Sequence, residues 1–450
     1  MKNIAGNFIH LLIPVLLSFI TVPTAHAATY YVSASGGSDS NPGTEGAPFK
    51  TILRGSKALA SGDTLYIRAG TYVERMVNNT NGFKFVNGTP GAYTRYAAYP
   101  GEERRVILNP NTTDDYNYYT VSFGRNFYIE ISGLVLDNST VHAAGEYRYL
   151  VKFIDDGHGN SIPNNIRFIG NELRNTHSGI SGGGGNEIIG NYFHDMEGYG
   201  IYTTGDNGIL QGNTFQNIGG YAIHHFQQHY TVNNWIISNN VISNAGNGYV
   251  IRKDYCDGCI KETSAVVLSR GTGTKFYNNI VYGSHSGVQV GLSVENTLIA
   301  NNTVYGNGLY GIQIQAKRPG NGGSSNARVF NNIVWGNRDS QLTDGGTNTT
   351  LEGNLTTDPK FVNPAAGDFG VQAGSPAIDK GITVAQVTTD FTGKARPEAA
   401  AYDIGAFEGA GSKADAMPDM SGGLPGGGLP GGGGRPVLLG PNGEVCPSGY

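Results

Sequence analysis

Ile209-Leu210-Gln211-Gly212-Asn213-Thr214-Phe215, followed by Gly220-Tyr221-Ala222-Ile223, is the stretch that decides the fold. Apolar residues alternate over four or five positions before a Gly-Asn pair breaks the run. This is strand periodicity with turn punctuation. The plan returns along the chain. Gly170-Asn171, Gly190-Asn191, Gly212-Asn213, Asn239-Asn240, Asn278-Asn279, Asn301-Asn302, Asn331-Asn332 and Gly353-Asn354 each follow a short apolar stretch. The second Asn recurs after 20, 22, 27, 39, 23, 30 and 22 residues, a period near 22 with variable insertions. Such spacing marks a solenoid. Leucine-rich repeats have a similar period but need leucines at fixed offsets and a helical return, both missing here.

A coil of three short strands and three turns takes about 20–25 residues, so one repeat is one coil. Coils stack at about 4.8 Å, the spacing of neighbouring strands. The predicted fold is all-β: a right-handed parallel β-helix, a single-stranded solenoid, over residues 28–409. Each second Asn then lies above that of the previous coil, where side-chain amides bond to one another. These residues are assigned to structure and not to chemistry.

Composition agrees. Charged residues are 14% and glycines number 69, so few residues serve charged helical faces and many serve turns. The net charge is −5 and no Lys/Arg run appears, which disfavours a nucleic-acid partner. Residues 1–27 read as an export signal: Lys2, an apolar run from Leu11 to Val22, then Ala25-His26-Ala27. No later apolar run is long enough for a membrane span. A secreted or cell-surface monomer is expected. Residues 410–450 are Gly/Pro-rich, including Gly422-Gly423-Leu424-Pro425, and are expected to form a disordered tail. Cys256 and Cys259 form a C-x-x-C pair suited to a local disulfide in an exported chain, and Cys446 is left over.

Stretches outside the repeats carry a resemblance. Tyr30-Tyr31-Val32-Ser33, Gly36-Gly37-Ser38-Asp39-Ser40-Asn41-Pro42-Gly43-Thr44, Pro48-Phe49-Lys50-Thr51-Ile52 and Ser61-Gly62-Asp63-Thr64 resemble the opening of secreted β-helix proteins of the pectate-lyase-like superfamily. Asp358-Pro359-Lys360-Phe361, Gly374-Ser375-Pro376-Ala377-Ile378-Asp379 and Tyr402-Asp403-Ile404-Gly405-Ala406-Phe407-Glu408 resemble the terminal segment of right-handed β-helix repeat proteins on bacterial surfaces. The resemblance implies the β-helix and an acidic polysaccharide as partner. Within that superfamily activity varies, from lyases and hydrolases to adhesins. Asp155-Asp156-Gly157 departs from the calcium motif of the pectate lyases. Ser269-Arg270-Gly271 resembles the arginine motif of alginate-lyase-type β-helices.

Strand alternation selects candidate site residues. With Ile180, Ile201, Ile223, Ile251, Val288 and Ile312 inward, Ser181, Tyr202, His224, Arg252, Gln289 and Gln313 face outward. Two positions on stand Thr204, Phe226, Asp254 and Gln315. Aromatic rings stack on sugar rings and Arg grips a carboxylate bidentately. Tyr202, Arg252, Phe226, Gln289 and Gln313 are therefore the candidate substrate-binding residues. Lyase chemistry needs a base near the sugar's C5 and a cation at its carboxylate. Lys253 or His224 suits the first role, and Arg252 or Arg270 the second. Asp254, Asp257 and Glu262 are candidate calcium ligands, since hard carboxylate oxygens suit that ion. An alternative register makes Val266-Val267-Leu268 the strand of its coil, so that 248–262 bulge out and remove Arg252 and Lys253 from the stack. A glycoside hydrolase would need opposed carboxylates, for which Asp195, Glu197 and Asp206 are the candidates. A non-catalytic, adhesive glycan-binding β-helix is the remaining reading.

Overall fold

The computed structural model describes residues 27–111, 119–140, 148–153, 164–227, 231–250, 260–319 and 322–410. The export signal at 1–27 falls almost wholly outside the described residues, as do the tail from 411 onward, Cys256, Cys259 and Cys446. No described helix is long and apolar enough to cross a membrane.

Three parallel sheets, of 12, 11 and 10 strands, wind along one axis. Each coil contributes one strand to each sheet, as in Ile209–Gln211, Thr214–Ile218 and Ile223–His225 for the first, third and second sheets. Inward side chains stack in register from coil to coil. In the first sheet the row is Phe168, Ile188, Leu210, Ile237, Phe276, Ile299 and Val329. In the third it is Leu173, Phe193, Phe215, Ile242, Val281, Val304 and Val334. All of these are fully buried. Full burial contributes about 1.5–3 kcal/mol per large apolar side chain, so these rows are the main source of stability.

The corner between the first and third sheets is tight. From Ile169 onward the chain turns it through the Gly-Asn or Asn-Asn pair alone. The first member of each pair takes a left-handed backbone, as at Gly212 (φ 64) and Asn278 (φ 52), the region that only Gly and Asn tolerate well. The second forms the predicted ladder. Asn171, Asn191, Asn213, Asn240, Asn279, Asn302 and Asn332 each donate Nδ2 to Oδ1 of the next Asn, at 2.8–3.2 Å, ending on Asn354.

The ends are closed differently. At the N-terminal end the single described α-helix, Ile52–Ser56, packs on the first coil. Thr51 Oγ1 accepts from Arg54 N, and the Glu74 carboxylate accepts from Ile52 N and Leu53 N. Gly43 is required here, because a Cβ would lie 2.1 Å from the Phe49 ring at φ 81. At the other end the chain from 356 to 410 runs back as a strap along the tight corner. Asn239, Asn278, Asn301 and Asn331 donate their side-chain amides to the strap carbonyls of Phe391, Thr389, Asp403 and Ile382. Earlier coils have Gly170, Gly190 and Gly212 at the same position. Within the strap Arg396 and Glu408 form a buried ion pair.

Candidate functional site

Between Met76 and Glu352 the long connections enter or leave the second sheet. Residues 109–120, 138–148 and 246–263 lead into it, and 153–166, 226–235 and 315–327 lead out. Length variation therefore borders one sheet face, which is where a β-helix can build a groove without disturbing the tight corner.

The outward row of that sheet reads Ser122, Lys152, Ser181, Tyr202, His224, Val267, Gln289, Gln313 and Thr343 in register. Tyr202, His224, Gln289 and Gln313 stand where alternation puts them. Arg252 does not: Ile223 pairs with Val266 and His224 with Val267, which is the alternative register. The expected inward Ile251 is likewise replaced by Val266. The intervening chain forms its own antiparallel pair, Tyr249–Val250 with Ile260–Lys261. Arg252, Lys253, Asp254 and Asp257 lie outside the described residues. Ser269 takes the row position expected for Asp254, one coil after Phe226.

His224 is the centre of an aromatic cluster. Its ring stacks with Tyr221 (4.4 Å between centroids, 9°) and Phe226 (5.2 Å, 8°). Tyr199 lies 5.0 Å away and Tyr202 meets it edge-on at 4.8 Å. Tyr199 and Tyr221 were not singled out from sequence. Their signal is the repeated offset in Tyr199-Gly200-Ile201-Tyr202 and Tyr221-Ala222-Ile223-His224. Lys152, also missed, reaches Ser181 Oγ with its Nζ at 3.3 Å. Gln289 is held by a network in which its Oε1 accepts from Ser264 Oγ (3.2 Å) and Tyr310 OH (3.4 Å).

Arg270 stands at the rim. Its backbone is left-handed (φ 48), in a sheet irregularity between Ser269 and Gly271. The guanidinium carbon is 5.6 Å from the Phe226 ring centroid. Arg270 Nε is buried without a hydrogen-bond partner, and so is Gln315 Oε1. The two belong to one neighbourhood, since Gln315 lies over Gly291, the register partner of Ser269. A strained non-glycine backbone beside an unsatisfied donor and acceptor is costly, and such strain concentrates at functional positions.

His225, next to His224, points inward and is fully buried, bonded to Thr203 Oγ1 (2.8 Å) and Thr274 Oγ1 (3.1 Å). Packing and hydrogen bonding are its role. Burial pushes its pKa down to about 3. The unfolded chain takes up this proton below about pH 6.5 while the folded chain refuses it. Stability contributed by neutral His225 is thus present above pH 6.5 and lost as pH falls. The expected loss is about 2 kcal/mol between pH 6.5 and pH 5. Denaturant titrations at several pH values check it: in His225→Phe this part of the acid slope disappears, whatever the variant's absolute stability.

Among the described residues no three His, Cys, Asp or Glu side chains converge as a metal site. Glu262 is exposed and pairs with His285 at 3.6 Å. The hydrolase candidates separate: Asp206 binds Asn233 after the second sheet, whereas Asp195 belongs to the third. There His194 bonds Asp195 (2.7 Å) and Glu172 (3.3 Å), and Arg174 bonds Glu172 and Asp137. Burial opposes charge on His194, but the bonds to Asp195 and Glu172 outweigh it and raise its pKa. It is a satisfied ionic network outside the groove.

The chain matches the family model described as right handed beta helix region over residues 179–356. It is 24% identical over 386 residues to the uncharacterized protein YwoF of Bacillus subtilis (strain 168), covering 73% of this chain and 74% of that protein. Pectate lyase Pel9A superposes with a TM-score of 0.52 at 17% identity, over 85% of this chain and 96% of that one. A rhamnogalacturonan lyase gives 0.46 at 16% identity, over 75% and 91%. The fold is a right-handed parallel β-helix, shared with that pectate lyase.

Proposed function

We propose that the protein binds a uronate-containing polysaccharide along the outer face of the second sheet and cleaves it by β-elimination. The observation that carries this reading is Arg270, strained, with a buried unsatisfied Nε, beside the Tyr202–His224–Phe226 floor. A sugar ring stacks on the aromatic floor and its carboxylate receives the guanidinium, which stabilises the charge that develops when C5 is deprotonated. His224 takes the C5 proton. The C5–H electron pair becomes the C4–C5 double bond, the C4–O bond breaks, and the Tyr202 hydroxyl gives a proton to the departing oxygen. Gln289 and Gln313, one and two coils beyond Val267, hold hydroxyls of the neighbouring sugar. A shared fold with a protein named a pectate lyase supports a polysaccharide as substrate. Export by residues 1–27 would bring the protein to such polymers outside the cytoplasm.

The test is ultraviolet absorbance of the new double bond, with pectate, alginate and glycosaminoglycans offered separately. Arg270→Ala is expected to lower kcat/KM by roughly 10²–10³-fold at unchanged melting temperature. Runs with and without a chelator examine calcium at Asp254, Asp257 and Glu262. No absorbance rise and no new reducing ends on any polymer would sink the lyase reading and leave the aromatic floor as a binding surface. New reducing ends without absorbance would mean hydrolysis.

A further inference from the structure

Asp358, Lys360 and Phe361 of the terminal signature line a cavity of about 260 Å³ on a different sheet from His224 and Arg270. The cavity opens on the outer face of the third sheet, where Tyr282, Tyr305 and Trp335 occupy successive register positions. The strap covers this row unequally. Phe369 packs on Tyr282 (4.9 Å), and Phe361 and Phe369 meet Tyr305 at 5.4 and 5.6 Å. Trp335, the last of the row, lines the cavity with Tyr305. Gly336 lets the two rings lie side by side, since a Cβ there would be 2.9 Å from Tyr305 Cε2.

The polar rim is fixed by the fold. Asp358 Oδ1 accepts from Lys360 N (2.9 Å), which orients the carboxylate. Lys360 Nζ donates to Gly374 O (3.0 Å) and Gln372 Nε2 to Phe361 O (2.8 Å). Asp358 Oδ2 and Gln372 Oε1 remain as acceptors beside an aromatic wall. Aromatic faces with a few placed polar groups, in a volume slightly under the about 300 Å³ of small-ligand sites, suit one sugar ring and not a chain. Hydroxyls would donate to the two acceptors, whereas a uronate would bring a second carboxylate against Asp358.

We infer that this cavity is a binding pocket for a single neutral sugar residue, separate from the groove and independent of how the groove is read. It would tether the protein to neutral branches or ends of a glycan.

The chain has two tryptophans, and Trp235 is fully buried in the core, so a sugar in the pocket is reported by Trp335 fluorescence. Full-length protein is titrated with methyl glucoside, methyl galactoside, methyl xyloside and galacturonate. At least one neutral glycoside is expected to change the emission with half-saturation at roughly 1 mM, as its dozen or so heavy atoms allow. Asp358→Asn, which keeps the acceptor for Lys360 N, should weaken it at least tenfold at unchanged melting temperature. Arg270→Ala should leave it unaltered. No response to any neutral glycoside up to about 50 mM overturns the pocket. An equal response in Asp358→Asn, or galacturonate binding as well as the neutral sugars, overturns the assigned chemistry.

Discussion

Asn240→Leu is expected to cost about 3–6 kcal/mol, although it exchanges a polar side chain for an apolar one of similar size in a buried position. Asn240 Oδ1 accepts from Asn213 N (2.9 Å) and Asn213 Nδ2 (3.0 Å), and its Nδ2 donates to Leu210 O (3.0 Å) and Asn279 Oδ1 (2.9 Å). Leucine orphans Asn213 N, at about 1–3 kcal/mol, and removes one bond each from Asn213 Nδ2, which keeps Ile188 O and Gln211 O, from Leu210 O and from Asn279 Oδ1, at about 0.5–1.5 kcal/mol each. Stacked coils contact mainly their neighbours, so the damage is local before it is global. Hydrogen exchange should accelerate at Asn213, and the denaturation midpoint should fall. Asn354→Leu, at the end of the ladder, should cost less, because no further Asn follows it. Equal stability of Asn240→Leu and wild type would show that the ladder records the fold without holding it.

Glu408→Ala should release the strap. Arg396 has no exposed side-chain surface and donates to Glu408 Oε1, Asp403 O (3.2 Å), Gly405 O (2.9 Å) and Asn278 Oδ1 (3.3 Å). Glu408 also accepts from Asp403 N and Glu398 N. Removing the carboxylate takes the paired charge from a buried cation and leaves two amides unsatisfied, a loss of about 3–5 kcal/mol. Limited proteolysis is expected to cut within 356–410 while the coils resist. Replacing both partners, in Arg396→Met with Glu408→Leu, should restore only part of the loss, because Asp403 N and Glu398 N stay unpaired and the buried Asp390 and Asp403 carboxylates lose the cation beside them. A strap as resistant in Glu408→Ala as in wild type would place its anchorage elsewhere.

The ladder was legible because a left-handed corner admits only Gly or Asn, and a stacked amide is satisfied only by Asn. Two constraints at adjacent positions write Gly-Asn or Asn-Asn into every coil from Ile169 onward. Inward rows were legible from alternation alone. The strap was visible as a signature, but not its seat on the corner, because the contact joins segments about 50 to 150 residues apart, such as Asn331 with Ile382 and Asn239 with Phe391.

At the site, Tyr202, His224, Phe226, Gln289 and Gln313 followed from the same alternation. Arg252 failed because two segments satisfy it: Val250-Ile251 and Val266-Val267 both place an apolar residue inward. Distance to the ladder separates them, since Val266 precedes Asn279 by 13 residues, close to the 12 from Ile201 to Asn213, whereas Ile251 precedes it by 28. Arg270 was found by motif, but its strained backbone and unsatisfied Nε are properties of a bulge that no pattern of residue types encodes.

The change from Gly to Asn at the corner also marks a graft boundary. In the three coils before Asn239 the corner carries Gly170, Gly190 and Gly212, and a whole coil could be duplicated or deleted there without altering anything the strap touches. From Asn239 to Asn331, four successive coils are each addressed by strap carbonyls, so a single coil added among them would put every later amide out of phase with its acceptor. The molecule is thus extensible in its first half and fixed in length in its second.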